Sequence, residues 1–245
     1  MKLAIASCSK LQQIDQFAEP NFAALLSDLR LRNKRVIAIY DDHDFIGNNR
    51  YGGDHSPALG LAARAEFVRA FTPAQTHADV YSCTRIGPAD IIVLDERMYR
   101  RAPEKSASSR DAILGARQWS WFESEFRTSD ARFVIVASSS TVHRYRDESW
   151  EQYPAAFERL RALISGRSGA VVVSGDIHRN AVYDDSGMVE LTTSAVARKG
   201  LFFGAARGNY GVLEFNGDVM RVDLRSLKAG GRYRFEMSRN NWQIP

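Results

Sequence analysis

The chain is poor in cysteine, with only Cys8 and Cys83 among its 245 residues. Two cysteines cannot form the multi-disulfide framework of a small secreted domain, and they favour a reducing compartment. No apolar run approaches the length that spans a bilayer. The N-terminal apolar stretch is too short for the hydrophobic region of a signal peptide. We therefore expect a cytoplasmic protein with no membrane partner.

The chain also lacks any block of lysine and arginine. Its formal net charge of +4 is mild for this length and favours anionic ligands such as phosphates. Without a basic block, no specific nucleic-acid partner is expected. There is no internal repeat, low-complexity tract or linker, and 44% of the residues are hydrophobic. A chain of this size and composition predicts a single domain over residues 1–245.

Short apolar runs alternate with amphipathic segments along most of the chain. Strands are predicted at residues 3–6, 36–40, 91–94, 133–137 and 171–173, and then at 189–193, 210–215 and 219–224. Helices are predicted at residues 22–31, 59–71, 115–127 and 153–164. The last two strands are separated by a turn at Asn216-Gly217. This order predicts a layered α/β fold with sheets in the middle and helices outside.

A first polar cluster, Asp41-Asp42-His43-Asp44, directly follows the apolar run at residues 36–40. Three carboxylates beside one imidazole repel one another unless a cation or several donors neutralise them. A hard or borderline metal ion suits such oxygens with one nitrogen nearby, and Asn48-Asn49 would add neutral oxygens. A solvated turn is the alternative, and the cluster alone leaves both interpretations open.

A second polar cluster, Asp176-Ile177-His178, follows the predicted strand at residues 171–173. If the strand geometry continues, both polar side chains point the same way and can hold one ion, although a solvated strand end is the alternative. Cys8 also follows a strand, and a thiolate is a metal ligand, although a lone cysteine is more often a small buried side chain. Cys83 has no polar cluster after it and is interpreted as structural.

Arg97 follows the predicted strand at residues 91–94 and lies between Asp95 and Arg100. A guanidinium suits phosphate because it can bind two oxygens at once, so Arg97 is a candidate for holding a substrate phosphate. The alternative is an Asp–Arg pair that fixes the loop. The remaining histidines have few acidic neighbours and are interpreted as surface or structural residues: His55, His77 and His143.

Taken together, these clusters resemble the PhoD-like (alkaline phosphatase D) branch of the metallophosphoesterases. The matching segments run nearly from end to end: ASCS at 6–9, YDDHDF at 40–45, VLDERMYR at 93–100, LGARQW at 114–119, SWEQYP at 149–154, VSGDIH at 173–178, ELTTS at 190–194 and NYGV at 209–212. The resemblance implies a four-layer α-β-β-α sandwich. It also implies a metal-dependent phosphoric ester hydrolase, a phosphomonoesterase or phosphodiesterase, that acts on small phosphate esters through metal-activated hydroxide.

The resemblance further implies a centre with several metal ions, calcium and iron, with manganese or zinc as substitutes. It places a thiolate ligand at Cys8 and further metal ligands at Asp42, Asp176 and His178. His43 falls where related enzymes have the histidine that helps to protonate the leaving group.

One part of the family pattern is missing from this sequence. The family has a strand and a Gly-Asp-x-x-Tyr segment between the Cys strand and the Asp-Asp-His cluster, and that Asp bridges two metals while the Tyr binds iron. Residues 9–33 contain neither glycine nor tyrosine. The fold is therefore expected to lack one strand–helix unit, and loss of the bridging carboxylate weakens a two-metal site.

Two other functions follow from the same residues. A degenerate, non-catalytic protein on this scaffold would bind phosphorylated or other anionic ligands, and the missing segment favours it. A thiol-dependent hydrolase would use Cys8, His43 and Asp176, but it explains the excess of acidic residues poorly because a triad needs only one.

Overall fold

The structure is a computed structural model that describes residues 1–5, 37–54, 56–71, 79–143, 149–194, 209–226 and 233–244. The predictions for Cys8, His55 and His77, and for the helix at residues 22–31, lie outside the described residues. Among the helices that are described, none combines the length and hydrophobicity needed to cross a membrane.

The described part of the chain contains ten strands and five α-helices. In chain order, the strands are β1 (Lys2–Ile5), β2 (Ser82–Ile86), β3 (Ala89–Val93), β4 (Phe133–Ala137), β5 (Ala170–Ser174), β6 (Ala181–Asp185), β7 (Met188–Thr192), β8 (Asn209–Asn216), β9 (Val219–Ser226) and β10 (Tyr233–Ser238). The helices are α1 (Asp42–Phe45), α2 (Pro57–Phe71), α3 (Pro103–Ser106), α4 (Gly115–Thr128) and α5 (Pro154–Ser165). Short 3-10 turns cover Gly52–Asp54 and Trp150–Gln152.

The strands form two sheets of different topology. The larger has the order β2-β3-β4-β5-β7-β6, with β3, β4, β5 and β7 parallel and an antiparallel strand at each edge. The smaller is antiparallel, with the order β1-β8-β9-β10. Parallel strands run in the same direction, so the segments that follow β3, β4 and β5 all leave the larger sheet at the edge formed by the carboxyl ends of these strands.

The central strands are buried on both faces, and successive side chains enter two different cores. Ile91 and Ile135 belong to the core between the sheets, together with Leu213 and Val222 of the smaller sheet. The other face packs against helices α4 and α5; its buried residues include Ile92, Val134, Val136, Val172, Trp119, Phe122, Phe126, Leu160 and Ile164. The predicted layered α/β class is confirmed, and Trp119, Phe122 and Phe126 of α4 lie in the core.

The predicted strand before the first polar cluster is the exception. Residues 37–40 are not assigned to a strand, although their side chains still alternate. Ile37 packs against the core between the sheets, whereas Tyr40 is fully buried against Phe45 and Phe67. The segment that follows is not an open loop, because it begins with the single helical turn α1.

Candidate metal centre

Three carboxylates from two distant segments meet at one edge of the larger sheet. One oxygen from each of Asp41, Asp42 and Asp176 lies within 4.8 Å of the other two. Asp41 precedes α1, Asp42 is the first residue of α1, and Asp176 is the second residue after β5. The structure thus brings together two of the predicted ligands, Asp42 and Asp176, and adds Asp41, which the sequence analysis did not select.

The backbone around α1 holds Asp42 in a fixed position. Its carbonyl accepts hydrogen bonds from Ile46 at 3.2 Å and Gly47 at 2.9 Å. Its Oδ2 accepts the backbone N–H of Asn49 at 2.7 Å, and the residue is only 4% exposed. Asn49, considered as a neutral ligand, therefore supports Asp42 through its backbone, while its side-chain oxygen accepts a hydrogen bond from Asn48 at 2.7 Å.

The loop after β5 does not continue the strand geometry. The sequence-based prediction that Asp176 and His178 point the same way depended on that continuation. β5 ends at Ser174, and both Asp176 (φ 67°) and His178 (φ 56°) adopt the left-handed conformation. The N–H of Ile177 donates to the carbonyl of Gly175 at 2.9 Å, which closes a γ-turn of the strained type around Asp176. Ser194 accepts the N–H of His178 at 2.6 Å. The backbone, not strand alternation, therefore sets the direction of both side chains.

Arg97 is fully buried and pairs with Asp41. Its Nε and Nη2 atoms lie 2.9 Å and 2.7 Å from the same oxygen, Oδ1 of Asp41. The pKa of Asp41 is raised by burial; Arg97 opposes the shift and Asp42 adds to it. An Asp–Arg pair was the alternative considered for Arg97, and its partner is Asp41, not the nearby Asp95.

A second buried ion pair holds the segment that carries Arg97. Glu96 and Arg100 pair at 3.0 Å, and neither is more than 2% exposed. The hydroxyls of Ser138 and Ser140 also donate to Glu96, and Ser140 adds its backbone N–H at 3.3 Å. This network links the segments that follow β3 and β4. The sequence analysis missed it, although acidic and basic residues four positions apart after a strand were a usable signal.

Glu190 of β7 forms a further buried anchor. It has no solvent exposure and accepts the backbone N–H groups of Val142 at 2.8 Å and His143 at 2.9 Å. Its Oε1, which accepts the N–H of Val142, also accepts the hydroxyl of Ser174 at 2.5 Å. Glu190 thus ties the end of β5 and the segment after β4 to β7.

The other predicted site residues remain predictions. Cys8 lies outside the described residues. His43 belongs to α1, directly after Asp42, but its side chain is not among those that the structure describes. His178 is described and partly buried, and it is not one of the three residues of the carboxylate cluster.

The donor set of the carboxylate cluster fits a hard divalent cation. Carboxylate oxygens are the preferred ligands of Ca²⁺, Mg²⁺ and Mn²⁺, and three acids at this separation need positive charge to offset their repulsion. Arg97 supplies one positive charge to Asp41, and a cation would supply the rest. The thiolate expected for iron would come from Cys8, outside the described residues.

Comparisons with known proteins give a family and a fold. The family model described as "PhoD-like phosphatase" matches residues 26–244. The solved structure titled "Structure of PhoD" is similar over 83% of this chain and 53% of its own length, with 19% identity and a TM-score of 0.67. This chain therefore spans about half the length of that protein. Among curated proteins, the chain has no match.

A second solved structure shares the fold. GAP50, described as the anchor in the inner membrane complex of Plasmodium, is similar over 97% of this chain and 89% of its own, with 14% identity and a TM-score of 0.53. The fold is thus similar to that of the PhoD structure, as the resemblance implied.

Proposed function

The chain belongs to the PhoD-like phosphatase family, and from that membership we propose that it is a metal-dependent hydrolase of small phosphate esters. The observation that carries the proposal is the meeting of Asp41, Asp42 and Asp176, because these acids come from two segments that are distant in sequence and lie together at one edge of the sheet. Asp42 supports it, since its side chain is buried and held by the backbone N–H of Asn49 before any ion binds.

Each residue has a distinct task in this proposal. Asp41, Asp42 and Asp176 hold a divalent cation, with Cys8 and His178 as further ligands of a centre that contains calcium and iron. A cation in such a site stabilises charge on the phosphoryl oxygens and lowers the pKa of bound water. His43, next to Asp42 on α1, donates a proton to the leaving oxygen. The net charge of +4 favours an anionic substrate.

The proposal is tested by hydrolysis of p-nitrophenyl phosphate and bis(p-nitrophenyl) phosphate with Ca²⁺, Mn²⁺ and iron supplied. We expect turnover by the wild type and a loss of about 100-fold or more in Asp176→Asn, because a ligand contributes at least as much as the groups that support it. His43→Ala should lose about 10²–10⁴-fold if the imidazole is the general acid.

Asp218→Asn is the matched control, because the Asp218 side chain is 56% exposed and pairs across the surface with Arg132 at 3.3 Å. It should retain wild-type turnover. Equal rates in the wild type and Asp176→Asn, with both ester classes and every metal, would refute the proposal.

The second candidate is a non-catalytic protein that binds phosphorylated or anionic ligands. It is favoured by the missing Gly-Asp-x-x-Tyr segment, and a fold like this one occurs in a protein described as an anchor. Elemental analysis of purified protein separates the two candidates. Two or more metal ions per chain favour the enzyme, and none favours the binding protein. The thiol-dependent alternative predicts turnover that persists after metal is removed by chelation and is lost in Cys8→Ser.

A further inference from the structure

We infer that Arg97 is a positioning residue that orients Asp41 as a metal ligand, and not the residue that binds the substrate phosphate. The inference rests on the proposed function, because it concerns the same metal centre. It reassigns Arg97, whose sequence-based role was contact with substrate.

The first observation is the geometry of the pair. Two nitrogens of one guanidinium, Nε and Nη2, converge on Oδ1 of Asp41 at 2.9 Å and 2.7 Å. The Nε atom donates a hydrogen bond and Nη2 adds an ion-pair contact, so the position of this oxygen is held by one buried guanidinium; charge-assisted contacts of this kind are among the stronger ones in proteins. A carboxylate oxygen of the same Asp41 lies within 4.8 Å of an oxygen of Asp42 and of Asp176.

The second observation is burial. The Arg97 side chain has no solvent exposure, whereas Asp41 is 14% exposed. Asp41 thus lies on the solvent side of the pair, and Arg97 lies behind it. A substrate phosphate could reach the guanidinium only by displacing Asp41 or opening the loop. An arginine that binds substrate needs a face open to the ligand.

The third observation is the rigidity of the backbone that carries Arg97. The N–H of Gly52 donates to the carbonyl of Arg97 at 2.7 Å. The segments that contain Gly52 and Met98 approach so closely that a β-carbon on Gly52 would lie 2.1 Å from the carbonyl oxygen of Met98. On the other side, Glu96 and Arg100 are fixed by the buried serine network. Because its backbone is held on both sides, Arg97 is better suited to orienting Asp41 than to adjusting its position around a bound ligand.

These observations have a measurable consequence for metal affinity. Groups that orient a metal ligand through a hydrogen bond typically contribute 10–100-fold to metal affinity. If Arg97 acts through Asp41, its removal should weaken metal binding by about that factor. In a variant that already lacks the Asp41 carboxylate, removal of Arg97 should cause no further loss of metal affinity.

The test is a double-mutant cycle on Mn²⁺ binding, measured by calorimetry on the full chain without substrate. The proteins are the wild type, Arg97→Met, Asp41→Asn and the double variant. We expect about 10–100-fold weaker binding in Arg97→Met and at least as large a loss in Asp41→Asn. The double variant should bind no more weakly than Asp41→Asn alone, because coupled residues are non-additive.

Arg64→Met is the matched control. Arg64 is also buried and also pairs with an aspartate, Asp79, at 2.7 Å, but that pair is not part of the carboxylate cluster. It should lose stability and keep the wild-type affinity for Mn²⁺. Arg97→Lys covers the case in which Arg97→Met fails to fold, because it keeps the buried charge but cannot reproduce the two-nitrogen fork; it too should bind Mn²⁺ more weakly.

A second measurement distinguishes metal positioning from substrate contact. Inorganic phosphate is titrated into the Mn²⁺-saturated wild type and Arg97→Lys. Similar phosphate affinity in both supports the inference. Unchanged Mn²⁺ affinity with weakened phosphate binding, or losses of Mn²⁺ affinity that add in the double variant, would overturn it. If the wild type binds Mn²⁺ but hydrolyses neither ester with any metal, the proposed function fails and the inference stands; if it binds no Mn²⁺, the inference fails, and the hydrolysis assay with Ca²⁺ and iron decides the proposed function separately.

Discussion

The Nδ1 atom of His143 lies 2.7 Å from Oε2 of Glu190, a carboxylate with no solvent exposure. The same carboxylate oxygen also accepts the backbone N–H of His143, so the residue is held at two points. The imidazole stacks on Tyr183, with ring centroids 5.0 Å apart, and packs edge-on against Phe157. A histidine that the sequence marked only as surface or structural therefore connects β7 to the segment after β4 as a partly buried structural residue.

The contact between His143 and Glu190 predicts a pH-dependent contribution to stability. Burial lowers the pKa of His143, but the carboxylates of Glu190, Glu151 and Asp185 outweigh it, so the pKa is raised above the ordinary 6.5. The folded state then binds the proton more tightly than the unfolded state. The stabilisation is complete below pH 6.5 and is lost as pH rises through the raised pKa.

The comparison is between the wild type and His143→Gln, which keeps a donor near Glu190 and cannot titrate. Urea unfolding from about pH 5.5 to about pH 8.5 should show a free-energy difference that is largest at the acidic end and shrinks as the pH rises. A difference that stays constant across the range would contradict the prediction.

Burial of Asp95 predicts a further loss of stability with rising pH, over a lower pH range. Burial raises its pKa to about 6, with the Tyr40 hydroxyl and the backbone N–H of Met98 opposing the shift. Because the folded state favours the protonated acid, ionisation costs stability as the pH rises from about 4 to about 7, by about 3 kcal/mol. Asp95→Asn cannot ionise, so its unfolding free energy should gain on the wild type over that range in urea titrations. Parallel pH profiles for the two proteins would show that Asp95 does not titrate in this way.

A side chain at position 52 is expected to displace the segment that carries Arg97 and so to affect the metal centre. Gly52→Ala places a β-carbon 2.1 Å from a backbone oxygen of Met98, so the segment that carries Arg97 must move. We expect a loss of about 2–3 kcal/mol in unfolding free energy, together with weaker Mn²⁺ binding. Gly166→Ala is the control, because the nearest atom to its added carbon is 3.7 Å away and its φ of −73° suits alanine. Equal stability of the two variants would contradict the close approach.

Metal binding should stabilise the native protein by an amount that grows with the logarithm of the free metal concentration above the Kd. A ligand at 100 times its Kd adds about 2.7 kcal/mol to the unfolding free energy, so Ca²⁺ or Mn²⁺ should raise Tm and a chelator should reverse the rise. Asp42→Asn should abolish the shift, because it removes a buried donor of the cluster. Asp218→Asn on the surface should retain it. A shift of equal size in Asp42→Asn would place the ion elsewhere.

Apolar runs located most of the central elements correctly. The run Phe133–Ala137 forms β4 with the predicted bounds, because a strand buried on both faces needs a continuous apolar segment. Edge strands were harder. β2 is Ser-Cys-Thr-Arg-Ile and has intermediate or exposed residues, so its composition carries no such signal. β10 did carry one, since Tyr233, Phe235 and Met237 alternate with polar residues.

The site was only partly predictable for a related reason. Acidic clusters after strands identified Asp42 and Asp176 as candidates, since side chains at one sheet edge converge. The sequence did not distinguish Asp41 from its neighbours, because that choice depends on Arg97, 56 positions away. Strand alternation also failed for Asp176 and His178, since positive φ angles are uncommon in residues other than glycine, and the enrichment of Asp and His there does not identify which positions adopt them.

The left-handed backbone after β5 has a consequence for how this protein can change. A side chain held at such a φ carries a conformational penalty of about 1–3 kcal/mol, and glycine would avoid it at either position 176 or 178. Glycine has neither a carboxylate nor an imidazole. Substitution by glycine would therefore stabilise the loop but remove a side chain that can bind a ligand. At these two positions, higher stability and ligand binding require different residues.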